Sequence, residues 1–165
     1  MKKVLLLFLS LSVTSIAFGQ QQKGNSEVQI SGFATVMDGN GFGSVFVKYG
    51  KFITDKVQVG VSPSVDFRTG NFSNTTVGAG AFLTYSFLTS DAQTVPYFGA
   101  SYRKSDIDNW DFDYGSAGGQ IGFKRFFTPQ AAFDISGNYL VTIPADNRFK
   151  SVGLIYLTFG FSYLF

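Results

Sequence analysis

From Gln20 onward the chain alternates apolar and polar residues with a period of two. Between residues 57 and 68, Val57, Val59, Val61, Val65 and Phe67 share one parity, and Gln58, Gly60, Ser62, Ser64, Asp66 and Arg68 the other. Residues 76–87 repeat the pattern, with Val77, Ala79, Ala81, Leu83, Tyr85 and Phe87 against Thr76, Gly78, Gly80, Phe82, Thr84 and Ser86. The last segment sets Ile155, Leu157, Phe159, Phe161, Tyr163 and Phe165 against Tyr156, Thr158, Gly160 and Ser162. Successive side chains of a strand point to opposite faces, so this pattern predicts strands. No ten-residue stretch after Gln20 carries a helical apolar period.

Eight strands follow, over residues 28–37, 43–52, 57–68, 76–87, 95–103, 115–127, 131–141 and 151–165. Most have the length of a tilted membrane-spanning strand, roughly 9–11 residues. The links 53–56 and 128–130 are tight and 88–94 is intermediate. The alternate links are 38–42, 69–75, 104–114 and 142–150, the last two being the longest. Short turns on the periplasmic side and longer loops outside are the habit of outer-membrane barrels. An even strand count returns the C-terminus to the side where the first strand begins.

Alternation alone also fits a soluble eight-stranded barrel or a β-sandwich. The content of the polar face decides between them. It is mainly Gly, Ser, Thr and Gln, too sparsely charged for a water-facing exterior, and it suits a narrow lumen filled by small side chains. The apolar face is then expected to meet lipid. Tyr49, Tyr85, Phe87, Tyr139, Phe159, Phe161, Tyr163 and Phe165 fit aromatic girdles at the two membrane interfaces. The expected fold is therefore all-β: an eight-stranded antiparallel up-and-down transmembrane β-barrel. Pro63 is the discordant residue, because it has no N–H for a ladder and a closed barrel has no edge to hide it on. A bulge, or a strand in two pieces, is expected there.

Residues 1–19 read as an address. Met1-Lys2-Lys3 is basic, residues 4–13 are apolar apart from Ser10 and Ser12, and Ala17-Phe18-Gly19 offers small residues at a cleavage position. These are the three regions of a secretory signal peptide. The apolar run is too short for a spanning helix, which needs about 20 residues. The barrel domain is expected over residues 20–165.

Composition sharpens this picture. Charged residues are 15% of the 165, below the roughly 25% usual in soluble globular chains, and aromatics are 18%. The formal net charge of +2 owes everything to Lys2 and Lys3. Without them basic and acidic residues balance, so charge implies no nucleic-acid partner. The chain has no Cys and no His. That removes disulfides, thiolate metal sites and the commonest general base.

Parity sends Lys48, Asp66, Arg68, Lys124 and Asp134 into the lumen, with Arg103 at its outer mouth. A Lys or Arg facing lipid near the midplane costs about 2–4 kcal/mol, which favours inward placement. These residues are expected to form a polar network that fills the lumen; a selectivity lining for a narrow pore is the alternative. The densest acidic stretch lies in the 104–114 link: Asp106, Asp108, Asp111 and Asp113, with Trp110 and Phe112 between them. Its oxygen ligands suit Ca²⁺ by type, but the spacing is not that of a known calcium loop. It is read as a solvated outer loop with aromatic anchors for an extracellular ligand. Neither the Gly78-Ala79-Gly80 cluster nor the glycines of 115–122 precede a helix, so they are not phosphate loops. No metal and no cofactor is expected.

The C-terminal run Phe159-Gly160-Phe161-Ser162-Tyr163-Leu164-Phe165 has aromatics at alternate positions and stops on Phe. Residues 49–55 and 123–129 read as strand-to-turn passages. Together these resemble the small eight-stranded OmpA/OmpX-like outer-membrane barrels, often described as the porin family. The resemblance implies residence in the outer membrane of a Gram-negative bacterium, with outer-membrane lipid as surroundings. It implies that Phe159, Phe161, Tyr163 and Phe165 are read by the barrel-insertion machinery. No peptidoglycan-binding domain follows Phe165, so an OmpA-type tether is not expected. The barrel enzymes of this fold depend on a His that this chain lacks, so no enzymatic activity is expected. The function implied is structural or surface-interacting, with a narrow channel for ions or small solutes as the alternative.

Overall fold

The computed structural model describes residues 21–37, 40–70, 73–88, 93–106, 114–144 and 150–165. Nine strands are assigned: β1 Ser26–Met37, β2 Asn40–Phe52, β3 Val57–Val61, β4 Ser64–Thr69, β5 Asn74–Ser86, β6 Thr94–Asp106, β7 Tyr114–Phe126, β8 Ala131–Pro144 and β9 Gly153–Leu164. All pairings are antiparallel, and β1 pairs with both β2 and β9. The sheet closes on itself. β3 and β4 both lie between β2 and β5 and together make the third staircase of an eight-stranded barrel.

The break between β3 and β4 is Ser62-Pro63, as the missing N–H predicts. No bulge occurs. Tyr49↔Val61 and Phe46↔Ser64 belong to one register against β2, and Val61↔Ala81 and Ser64↔Gly78 to one register against β5. Ser62 exchanges both backbone bonds with Gly80, and the Pro63 carbonyl accepts from Val47 N–H at 3.0 Å. Only the reciprocal bond, from residue 63 to the Val47 carbonyl, cannot form. Because no residue is inserted, alternation stays in phase through the proline, and Ser62, Ser64 and Asp66 all remain buried.

The partition is that of a membrane barrel. Ile155 is 80% exposed, Ile121 71% and Val77 64%, while Ser44, Ser116, Ser136 and Thr158 are buried. In water this arrangement would leave a large apolar girdle unburied. In hydrocarbon it is favourable, since the outward side chains of the mid-strand girdle are apolar and closed ladders satisfy the backbone.

Two rims result. The terminal rim carries both ends of the barrel, where Ser26 and Phe165 exchange backbone bonds at 2.8 and 2.9 Å. It also carries two turns built alike. Thr54 Oγ1 accepts from Val57 N–H at 3.0 Å, and Thr128 Oγ1 accepts from Ala131 N–H at 2.9 Å. At the far rim, β1 and β2 pair as far as Met37↔Asn40, so the first connection there is shorter than the expected 38–42 loop. β8 runs on to Pro144, past its expected end.

The seam between β1 and β9 is incomplete. Its ladder runs from Glu27↔Leu164 to Gly32↔Phe159 and stops, whereas β1 pairs with β2 along its whole length. Towards the far rim, ring packing of Phe33 on Tyr156, centroids 4.4 Å apart, holds the two strands together instead.

Candidate functional site in the barrel lumen

Inward side chains form layers from the terminal rim upward. The first is apolar: Phe52, Val95, Phe126, Ala132 and Leu164, all buried and packed as one cluster. Each comes from the end of a different strand, so the cluster lies across the lumen as a floor. Sequence parity placed these residues on the polar face, where apolar side chains are the exception.

Above the floor sits a charged layer. Lys124 Nζ on β7 donates to both carboxylate oxygens of Glu27 on β1, at 2.6 Å to Oε2. Gln58 Nε2 donates to the same Oε2 at 3.0 Å. Asp134, fully buried, stands opposite Lys124 in the β7–β8 register and accepts from the Tyr97 hydroxyl at 3.0 Å. Tyr97 also places its ring under Lys124 Nζ, 5.6 Å from the centroid. Pairing is required here, because a buried charge without a partner costs several kcal/mol.

The middle layer is polar and looser. Lys48 Nζ donates to Gln120 Oε1 at 2.9 Å and lies 5.7 Å from the Phe82 ring centroid. Ser136 and Thr158 share a 2.6 Å hydroxyl bond, and Asn138 Nδ2 donates to both hydroxyl oxygens. A cavity of about 40 Å³ lies among Lys48, Arg103, Gln120, Phe46, Tyr156 and Thr158. That is room for a few waters.

The upper layer joins β2, β4 and β6. Arg103 Nη1 donates to Asp66 Oδ1 and to Ser64 Oγ, each at 3.2 Å, and Ser44 Oγ donates to Asp66 Oδ1. The Arg103 guanidinium also lies over Phe46, 5.5 Å from the ring centroid. Phe46 packs on Phe33, which meets Tyr156 and Phe42, so an aromatic group surrounds the ion pair.

Of the sequence-predicted lumen residues, Lys124 and Asp134 therefore share one layer, Lys48 stands alone in the middle and Asp66 belongs to the upper layer. Arg68 differs from expectation: it is exposed at the far rim, over the Phe42 ring at 5.6 Å, and joins none of these bonds. Glu27 is the residue that sequence reasoning missed. It has the parity of Gln29 and Ser31, but lies one residue before the strand start at 28 that alternation marks. Tyr97 and Gln58, also missed, had inward parity but no charge to single them out.

The outer-loop residues Asp108, Trp110, Asp111, Phe112 and Asp113 lie outside the described residues. Asp106 is the last residue of β6, and its side chain also lies outside them. Among the described residues, no three or more Asp and Glu gather as a metal site. At the C-terminus Phe159, Phe161 and Phe165 are exposed on the barrel exterior and Tyr163 is half-buried. Tyr163 stacks on Phe165, and Phe161 meets Phe133 edge-on across the β8–β9 pair. With Tyr85, Phe87 and Phe98, which pack in one group, they give the terminal rim an outward band of rings.

This fold has close counterparts among solved structures. The N-terminal β-barrel domain of Pseudomonas aeruginosa OprF superposes with a TM-score of 0.58 at 18% identity, over 88% of this chain and 100% of that one. Neisserial surface protein A gives 0.58 at 19% identity, over 84% and 94%. The outer membrane protein OprG of Pseudomonas aeruginosa gives 0.54 at 14% identity, over 88% and 98%. A designed transmembrane β-barrel gives 0.56 at 17% identity, over 88% and 99%. The chain thus has the fold of the small eight-stranded outer-membrane barrels. No family model matches it, and no curated protein matches it.

Proposed function

We propose that this chain is an integral outer-membrane protein of a Gram-negative bacterium, delivered by a signal peptide at residues 1–19 and inserted by the machinery that reads its C-terminal aromatics. Its role is structural or surface-interacting. The barrel is a rigid peg that carries the far-rim connections, including the acidic and aromatic stretch 106–113, to the cell exterior for an extracellular ligand. The apolar girdle and its rings support the membrane reading. The absence of His supports a non-enzymatic one.

The observation that carries the plugged reading is the Lys124–Glu27 bridge. β1 and β7 stand apart in the barrel, with β9 and β8 between them. A side-chain pair that spans this distance occupies the lumen, and the apolar floor lies beneath it. Wide aqueous channels are built from about 16–18 strands, and eight leave room only for side chains.

The alternative, a narrow channel for ions or small solutes, draws on the mid-lumen cavity. Planar-bilayer recording of the refolded barrel separates the two. A silent bilayer at symmetric salt is expected; steady single-channel steps that change on Asp66→Ala would replace the plug with the channel.

A further inference from the structure

We propose that the mid-lumen cavity binds one small monovalent anion of chloride size, held by Lys48 and Arg103. The argument begins with charge. Among the described residues lining this cavity, Lys48 and Arg103 are the ionisable cations, and no carboxylate lines it. Each of the three lumen acids already has a partner. Glu27 holds Lys124, Asp66 holds Arg103 through Nη1, and Asp134 receives the Tyr97 hydroxyl while facing Lys124 in register.

Donor capacity points the same way. An ammonium has three N–H donors, and Gln120 Oε1 accepts one from Lys48. Gln120 is neutral and spends its amide on Thr84, 3.4 Å away, so it supplies no counter-charge. Arg103 Nε is buried with no hydrogen-bond partner among the described residues. Two cations with unspent donors therefore line one small space in the lumen. Arg103 has Asp66 as its counter-charge, whereas the acceptor bonded to Lys48 is neutral, and a buried cation without a counter-charge in contact is costly. An anion removes that cost where water only dilutes it. The size excludes large ligands, since about 40 Å³ admits an ion and one or two waters. The site does not depend on whether the lumen is closed. A conducting barrel would hold it equally.

The test uses bromide as the probe. Crystals of the full barrel soaked in sodium bromide are expected to show an anomalous peak within hydrogen-bonding distance of Lys48 Nζ. Gln120→Glu keeps the shape of the side chain but places a carboxylate on Lys48, and it is expected to abolish that peak. In detergent solution, bromide is expected to raise the wild-type unfolding midpoint above that in sulfate at equal ionic strength, by linkage. Gln120→Glu and Lys48→Met are expected to lose this difference. Water-only density in the soaked wild-type cavity would overturn the proposal, and so would a bromide peak that persists in Gln120→Glu.

Discussion

Lys124 and Glu27 meet across the barrel from β7 and β1, 97 positions apart in sequence, with 3% and 1% of their side chains exposed. Removing one partner leaves the other charge buried among Tyr97, Gln58 and Asp134. Lys124→Met or Glu27→Gln is expected to destabilise the folded barrel by about 3–5 kcal/mol. The double variant Glu27→Leu with Lys124→Met is expected to recover much of that loss. Reversible urea unfolding in detergent or lipid measures both.

The two ion pairs sit in separate layers, so neither alone controls passage. Arg103→Ala is expected to leave a bilayer silent, because the Lys124 layer and its apolar floor remain. Arg103→Ala combined with Glu27→Ala and Phe52→Ala is expected to give measurable conductance. Single-channel recording of the two variants checks the order.

Pro63 costs one ladder bond and nothing in register. Its side chain is exposed on the lipid side, so replacement meets no packing constraint in the lumen. Pro63→Val is expected to restore the bond to the Val47 carbonyl and to stabilise the barrel by about 1 kcal/mol. Hydrogen exchange at residue 63, protected in the variant, reports the new bond directly.

Gly60 faces Gly50 across β3 and β2, and the Phe82 ring covers both. A Cβ on Gly60 would stand 2.6 Å from the Gly50 Cα and 2.8 Å from Phe82 Cε1, and would also press on the Tyr49 carbonyl. Gly60→Ala is expected to destabilise by about 1–3 kcal/mol through overpacking. Gly119, with only a distant carbonyl near its added Cβ, is the matched control. Urea midpoints of the two variants compare them.

The seam between β1 and β9 loses its ladder above Gly32↔Phe159. Amide exchange is expected to be faster at Ala34 and Leu157 than at Ile30 and Phe161, which are paired in the bonded half. Residue-resolved exchange in micelles gives the comparison.

Period-two alternation carried the strand count, the order and the inward parity, because one residue of slip would turn every polar side chain to lipid. Strand ends were less legible. Hairpin pairing extends strands beyond the alternating core, as at Asn40 and Pro144, where the ladder continues without a face to mark it. The lumen was legible as a set of inward charges but not as pairs. Lys124 lies 97 positions from Glu27, and strand-to-strand distance across a closed lumen leaves no trace in local spacing. Arg68 shows the limit of parity: it points the right way but sits too near the far rim to reach an acid. The floor was hidden because Phe52, Val95 and Leu164 are apolar residues at polar-face positions, which alternation treats as noise.

The inverted partition also governs how such a chain drifts. On the lipid face, Val77, Leu83, Ile121 and Ile155 need only be apolar, and each can exchange for another apolar residue without loss of fit. Within the lumen, Gly60 and Gly160 are fixed by contacts that admit no added atom. Selection then holds the small and polar half of each strand and releases the large and greasy half. Barrels of one fold can in this way share fewer than one residue in five, as this chain does with its solved counterparts.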